Sequence, residues 1–493
     1  MRLTVNPSDI EDYRRFLAVK SLPSFRCTGR ELSFPDEYAH LVNGSTGGKR
    51  RDARYEPWPG LFDYQADIAA MAIAKRKFAV FADCGLGKTL MLLEFMRHAA
   101  AVLPTHKRLL IVCPLMVVRQ TIAEANKFYE GNIDLEQVSA ADLAGWLRGE
   151  GNRLGITNYD ALTDDLRQGD LGCLILDESS VLKSHYGKWG QVCLDLGAGL
   201  DWKLCLTGTP APNDRIEYAN HAVFLDAFPT INAFLARYFV NRGQTQERWV
   251  LKPHAIGPFY RALSHWSIFL ANPATYGWKD NAANIPPIHT HIHDIDLTDS
   301  QRSAVIGETG ELFVTHAGGI TKRSKLSRIG KGTGGVLSRK PAFIKELVES
   351  WPDESTIIWC LYNEEQDGIA KMFPGAANID GSTPIEERER LIDDFKNGRR
   401  RILISKPKIL GFGLNLQIAT RQVFSGLQDS YESYYQAVKR SNRVGSTRPL
   451  NVHIPVTEVE VPMIESVLRK ADRVQADTDE QEKLFKSVVA SCN

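Results

Sequence analysis

The sequence predicts an α/β protein with two lobes, each built around a parallel sheet, and three observations carry that expectation. Between about residues 56 and 250, short β-branched or apolar runs alternate with helical patterns, as in βαβ units. A second alternating series follows from about 341. Within the first series, FAVFADCGLGKTLMLLEFM (78–96) sets a buried run, a Gly-containing loop and an amphipathic stretch in immediate succession.

Strand candidates in the first series are 77–82, 108–114, 153–159, 173–178 and 202–209; in the second they are 355–362, 377–380, 400–406, 421–426 and 450–455. The second series also contains a marked helix start. Thr383 can cap the free amides, Pro384 suits the first helical position, and Glu386 completes a capping box. That helix stops after Lys396 at Asn397-Gly398, and neither this pair nor Asp380-Gly381 sits between alternating apolar runs as a hairpin turn would. Residues 1–55 lack clear periodicity and read as an accessory segment. Region 251–340 turns helical and aromatic-rich and ends in the basic stretch TKRSKLSRIGKGTGG (321–335), which reads as a helical insertion and interlobe linker. The second lobe is expected at 341–475, with 476–493 as a tail.

Composition bounds what such a chain can be. Its 493 residues are roughly three average domains' worth, and 43% hydrophobic residues suffice for large cores. With 60 Lys+Arg against 59 Asp+Glu, the net charge is +1, so any nucleic-acid-binding surface must be local. The eight cysteines are scattered singly with no CxxC pair, which supports neither a zinc module nor a disulfide framework and fits a reducing cytoplasm. No stretch approaches the ~20 apolar residues that span a bilayer. A soluble cytoplasmic protein that is not exported and has no membrane partner is expected.

The loop at 82–89 is a P-loop in its expected strand-to-helix context. Amides of Cys84, Gly85, Leu86 and Gly87 would point at phosphates, Lys88 would neutralise the β and γ phosphates, and Thr89 would ligate magnesium. CLILDESS (173–180) ends another strand with adjacent carboxylates. Asp177 would hold the Mg2+ through water, and Glu178 would orient the attacking water. Gln436, Arg440 and Arg443 fall at i, i+4 and i+7, sharing one face if the segment is helical. That face reads as candidate arginine fingers beside a P-loop, or as a solvated basic face without one.

These residues resemble the DEAD/DEAH-like helicases of superfamily two, and most nearly their Swi/Snf branch, over about 60–456 and in the family's motif order. LFDYQ (61–65) looks like the adenine-reading motif, with Gln65 as the base-edge contact and Phe62 or Tyr64 as stacking neighbours. LLIVCPLMVVRQ (109–120) and ITNYDAL (156–162) resemble motifs Ia and Ib, DESS the DEAH box, and LTGTPAPN (206–213) motif III. IIWCLYNEE (357–365), ISKPKILGFGLNLQ (404–417) and YYQAVKRSNRVGSTRP (434–449) resemble motifs IV, V and VI. Ser180 stands where the pattern usually has His, and Ser446 where it usually has Gln.

The resemblance implies two RecA-like lobes with an ATP cleft between them, Lys88 and the acidic pair in one, the arginines in the other. It assigns the nucleic-acid backbone to Pro114, Thr157, Asn158, Gly413 and Asn415, with Thr207 and Thr209 coupling nucleotide to track. The implied activity is ATP-dependent translocation on DNA, duplex preferred and sequence-independent, in replication, recombination or repair, with ATP and Mg2+ as cofactors. An RNA helicase and an ATP-switched loader subunit are the alternatives. Compactness favours a bacterial or viral setting. Trp249, Tyr260, Trp266 and Trp278, interleaved with Arg248, Lys252, Arg261 and Lys279, read as core ahead of a stacking surface. The cluster Lys322, Arg323, Lys325, Arg328 and Lys331 reads equally as a duplex contact or a linker.

Overall fold

The computed structural model describes residues 1–35, 38–43, 54–183, 187–243, 249–279, 285–309, 320–410, 414–427, 430–443 and 446–490. The chain forms two compact units, residues 1–280 with 474–493, and residues 281–473. Among the described residues no helix is long and apolar enough to cross a membrane.

The first unit opens with a small module in place of the irregular segment expected. Arg2–Thr4 (β1), Arg26–Thr28 (β2) and Glu31–Ser33 (β3) pair antiparallel in the order β1-β3-β2. The helix Ile10–Ser21 begins where Asp9 accepts the amides of Glu11 and Asp12. Its Val19 joins Leu22, Leu32, Phe34 and Tyr38 in a core of their own. Strands of three residues are too short to display a period, which is why the module escapes a sequence reading.

The main sheet of this unit contains Lys77–Ala82 (β4), Arg108–Cys113 (β5), Glu136–Gln137 (β6), Leu154–Asn158 (β7), Leu171–Asp177 (β8) and Trp202–Leu206 (β9). An antiparallel ribbon follows, Phe239–Asn241 (β10) with Trp249–Leu251 (β11), and then Ser267–Leu270 (β12) returns to the sheet's edge. The order is β12-β4-β9-β8-β5-β7-β6 and every pairing is parallel. Every residue of β5, β8 and β9 is buried, as continuous apolar runs in a sheet covered on both faces must be. Because β12 pairs with the P-loop strand β4, the lobe extends past the boundary at 250 into the expected insertion. Residues 476–490 are likewise no tail. They belong to the helix Val461–Ala490, where Asp477 accepts Arg215 Nη2 at 2.5 Å and Tyr260 Oη at 2.6 Å.

The second unit holds Ile288–Asp294 (β13), Thr356–Trp359 (β14), Ala377–Asn378 (β15), Ile402–Ser405 (β16), Arg421–Phe424 (β17) and Leu450–Val456 (β18) in the order β13-β18-β17-β14-β16-β15. All of these pairings are parallel too. The helix Ile385–Lys396 ends where expected but starts differently. Pro384 is the cap residue, and the Thr383 hydroxyl donates to Asp380 Oδ1 rather than capping amides.

Candidate nucleotide and nucleic-acid site

Three neighbouring strands of the first sheet, β4, β9 and β8, end at the same edge and carry the chemistry there, as strand carboxyl ends do in α/β folds. After β4, Gly85 (φ +90°) and Gly87 (φ +73°) adopt left-handed conformations that turn the chain into the helix Lys88–Val102. The free amides of that helix start face the loop. Lys88 Nζ donates to Ala82 O at 2.9 Å, folded over the loop it belongs to. Burial alone would push the Lys88 ammonium down. The acidic side chains around it, the Cys84 thiol first and then the Glu178, Asp177 and Asp83 carboxyls, outweigh that and hold its pKa above the ordinary value.

The adenine-motif residues brace this loop from below. Tyr64 Oη and Gln65 Nε2 both donate to Leu86 O, at 3.1 and 3.3 Å, and Gln65 Oε1 accepts the Phe62 amide at 3.0 Å. Gln65 is 3% exposed with both ends of its amide engaged, so the base-edge contact expected of it is corrected to a loop brace. Of the two candidate stacking rings, Tyr64 is buried and Phe62 is open.

At the end of β8 Asp177 is buried and its carboxyl is pushed up to about 7, chiefly by burial and then by the neighbouring Glu178 charge. Tyr159 Oη donates to the Asp177 carbonyl at 2.8 Å. Glu178 has φ +52°, a conformation that costs an L-residue of order 1–3 kcal/mol and persists only where the surroundings over-determine it. Thr207 Oγ1, one residue past β9, donates to Glu178 Oε2 at 3.1 Å and accepts the Thr209 amide at 3.1 Å. Thr207 therefore touches Glu178 directly, and Thr209 reaches it only through the Thr207 hydroxyl.

The residues expected to grip a nucleic-acid backbone fare unevenly. Pro114 caps the helix Leu115–Tyr129 beyond β5 and is half-buried. Thr157 is corrected: it is 1% exposed and its hydroxyl donates to Val138 O at 2.8 Å, which leaves nothing to offer a phosphate. Asn158 is half-exposed and caps the turn Tyr159–Ala161 through Asp160 N. Gly413 lies outside the described residues. Asn415 is exposed, and its side chain closes a short turn on Gln417. A small cavity of about 80 Å³ at the carboxyl ends of β14, β16 and β17, lined in part by Lys406, Lys408, Ser430 and Ser433, was not anticipated, although both lysines lie within the segment resembling motif V.

The motif VI geometry is also corrected. The helix Tyr431–Val438 ends before both arginines, so Gln436, Arg440 and Arg443 do not share a helical face. Gln436 is buried on the helix, and Arg440 and Arg443 lie in the turns beyond it. Arg440 is buried and Arg443 half-exposed, which makes Arg443 the more accessible guanidinium. Leu416 N donates to Arg440 O at 3.0 Å, joining the segments of motifs V and VI. Ser446 braces the same turn, accepting the Arg443 amide and donating to Ser441 O.

Tyr260 and Trp266 are core, as read from sequence, and Arg248 lies outside the described residues. The basic cluster is dispersed: Lys325 pairs with Glu308, Arg328 lies over the Tyr362 ring, and Lys331 is buried against Glu460.

Family models match in two places: the SNF2-related domain over residues 75–305 and the helicase conserved C-terminal domain over 339–445. A putative protein p41 of Acyrthosiphon pisum secondary endosymbiont phage 1 is 25% identical over 79% of this chain and 91% of its own. A Drosophila melanogaster SWI/SNF-related matrix-associated actin-dependent regulator of chromatin subfamily A-like protein 1 is 23% identical over 79% of this chain, and the mouse DNA annealing helicase and endonuclease ZRANB3 is 23% identical over 86%. The chain spans 52% and 42% of those two animal proteins. A solved Sulfolobus solfataricus SWI2/SNF2 ATPase core in complex with double-stranded DNA aligns over 89% of this chain and 98% of its own, at 19% identity and a TM-score of 0.41. With its P-loop, acidic pair and threonine motif on adjacent strand ends and both family models in order, the chain belongs to the Swi/Snf type of superfamily-two helicases.

Proposed function

We propose that this protein hydrolyses ATP and uses the cycle to move along duplex DNA without reading its sequence. The observation that carries the reading is the convergence of Lys88, the Asp177-Glu178 pair and Thr207 at three adjacent strand ends, with Thr207 bonded to Glu178. Lys88 and the amides of Cys84 to Gly87 hold the phosphates, and Phe62 offers a face for the base. The hydroxyl of Thr89 and the carboxylate of Asp177, both hard oxygen donors beside a phosphate loop, suit Mg2+, which when bound neutralises phosphate charge. Glu178 orients the attacking water. Arg443, Arg440 and Gln436 are the motif VI residues that answer the charge developing on the transferred phosphoryl group.

The track is held through Pro114 and Asn158 in the first unit and Gly413, Asn415 and the Lys406–Lys408 cavity in the second. Contacts of this kind go to phosphates, so binding falls steeply with salt. The animal relatives, one named for chromatin regulation and one as a DNA annealing helicase, agree with DNA as the track.

The test is the steady-state ATPase rate with blunt duplex DNA, single-stranded DNA, RNA and no polymer, on wild-type protein and Lys88→Ala. Duplex DNA should stimulate most, and Lys88→Ala should abolish turnover. Stimulation by RNA alone would make this an RNA helicase, and tight ATP binding without any stimulation would make it a switch subunit.

A further inference from the structure

We propose that His221 is a positioning residue for hydrolysis: through Ser179 it holds the strained backbone turn that aims the Glu178 carboxylate. The inference rests on the assignment of Glu178 above. The turn at 178–180 needs an outside hold, because Glu178 sits at φ +52° without being glycine. The bonds the box itself contributes are weak or local, Ser180 Oγ to Glu178 O at 3.5 Å and Glu178 N to Asp177 Oδ1 at 3.1 Å. DESS carries no imidazole of its own.

An imidazole arrives from elsewhere. His221, on the helix Tyr218–Phe224 that follows the threonine motif, is fully buried with Nε2 3.1 Å from Ser179 Oγ. Its Nδ1 faces Glu217 O, one helical turn back, at 3.5 Å. The ring and the Ser179 hydroxyl share this hydrogen bond whichever imidazole nitrogen carries the proton, since a hydroxyl both donates and accepts. Burial keeps the ring neutral, with its pKa drawn down to about 4. The ring also meets Phe81 edge-on, centroids 5.3 Å apart, one residue before the P-loop strand ends.

The same helix grips the turn a second time, Asn220 Nδ2 donating to Leu182 O at 2.5 Å. Residues 179 and 182 are thus fixed by consecutive residues of one helix, whose chain leads directly back to Thr207 and Thr209. A displacement of either threonine is transmitted to Glu178 from two sides, through the Thr207 hydroxyl and through the His221 tether.

The experiment is full steady-state kinetics with saturating duplex DNA on Ser179→Ala, His221→Leu, His221→Gln, the Ser179→Ala/His221→Leu double variant and Glu178→Gln, with Tm measured for each. His221→Leu and Ser179→Ala should each lower kcat by about ten- to a hundredfold, the usual cost of losing an orienting partner, with KM for ATP changed less than about threefold. Glutamine offers both a donor and an acceptor close to the Nε2 position, so His221→Gln should recover most of kcat. The double variant should be no worse than the worse single, since both remove one tether. A Ser179→Ala enzyme with normal kcat, or kcat losses in His221→Leu that glutamine does not recover, would overturn the inference while leaving Glu178 in place. Normal hydrolysis by Glu178→Gln would instead remove the assignment beneath it.

Discussion

Gly87 shows how tightly one residue can be specified. It stands at φ +73° as the cap of the phosphate-loop helix, and a Cβ there would run into the Gln65 amide that braces Leu86. Alanine faces both a left-handed backbone, costing about 1–2 kcal/mol, and a displaced brace. We expect Gly87→Ala to weaken ATP binding by about tenfold or more, each tenfold being about 1.4 kcal/mol. Gly199, also left-handed at φ +74° but in open space, is the control, and its alanine variant should bind ATP normally. Titration with a fluorescent ATP analogue decides it; wild-type affinity in Gly87→Ala sinks the account. Lys88, Asp177 and Glu178 were legible from sequence because strand, loop and helix signals are contiguous around them. His221 was not, since a single histidine inside an apolar helix carries no local sign that a serine far back in the chain depends on it. Gln65 and Thr157 failed differently: a motif names a residue type and says nothing of whether its hydrogen bonds are already used inside the fold.

Among the elements, all ten strands expected in the two alternating series are present, because short β-branched or apolar runs bounded by turn residues and alternating with helical patterns read as the strands of βαβ units. Of the strands they omit, β6 has only two residues, and β12 and β13 explain the limits. β12 follows the helix Ile256–Trp266 with no Gly or Pro between them, and β13, IHTHIHD, is an exposed edge strand with little apolar content. The stretch taken as a linker or duplex contact became structural through Glu460. This residue is 1% exposed and binds Lys331 at 2.8 Å and Lys340 at 2.5 Å, with the Thr457 hydroxyl at 2.7 Å. Burial raises its pKa, but the two ammoniums outweigh that and draw it to about 2 from 4.5. A depressed carboxyl stabilises the fold above its unfolded pKa and loses that contribution as pH falls through the folded value. Acid should therefore weaken the second unit between about pH 4.5 and 2. Glu460→Gln strands two buried cations and should cost about 3–5 kcal/mol at neutral pH, with no acid step of its own. Denaturant melts across pH check both; equal stability of variant and wild type at pH 7 would refute the clasp. In the turn beyond the helix Tyr431–Val438, Arg443→Ala should keep ATP bound while turnover drops by about a thousandfold. A proportionate loss of ATP and DNA binding, with turnover per complex unchanged, would make Arg443 a surface contact.

At the scale of the whole molecule the question is whether the motor separates strands or only walks. Separation needs a wedge between the strands, commonly a β-hairpin in the second lobe, and a hairpin requires antiparallel pairing. Every strand pairing among the described residues of the second unit is parallel. The two sequence pairs that could have marked a hairpin do not form one. Asn397 caps the helix Ile385–Lys396 with Gly398 at φ +71° behind it, and Asp380 accepts the amides of Ser382 and Thr383 ahead of that same helix. The antiparallel ribbon β10–β11 belongs to the first unit. With no wedge among the described residues of the second unit, the proposed motor is expected to step along a duplex that stays paired. We therefore expect blunt duplex DNA to stimulate the ATPase at least as well as single strands do. The enzyme should displace a triplex-forming third strand from a duplex in an ATP-dependent way, and it should open a plain forked duplex poorly. Triplex displacement followed by gel shift, alongside a forked-duplex unwinding assay at the same enzyme and ATP concentrations, separates the two modes. Efficient unwinding of a long fork with no stimulation by blunt duplex would place a wedge somewhere the parallel sheet does not offer one, and would replace translocation with strand separation as the output of the motor.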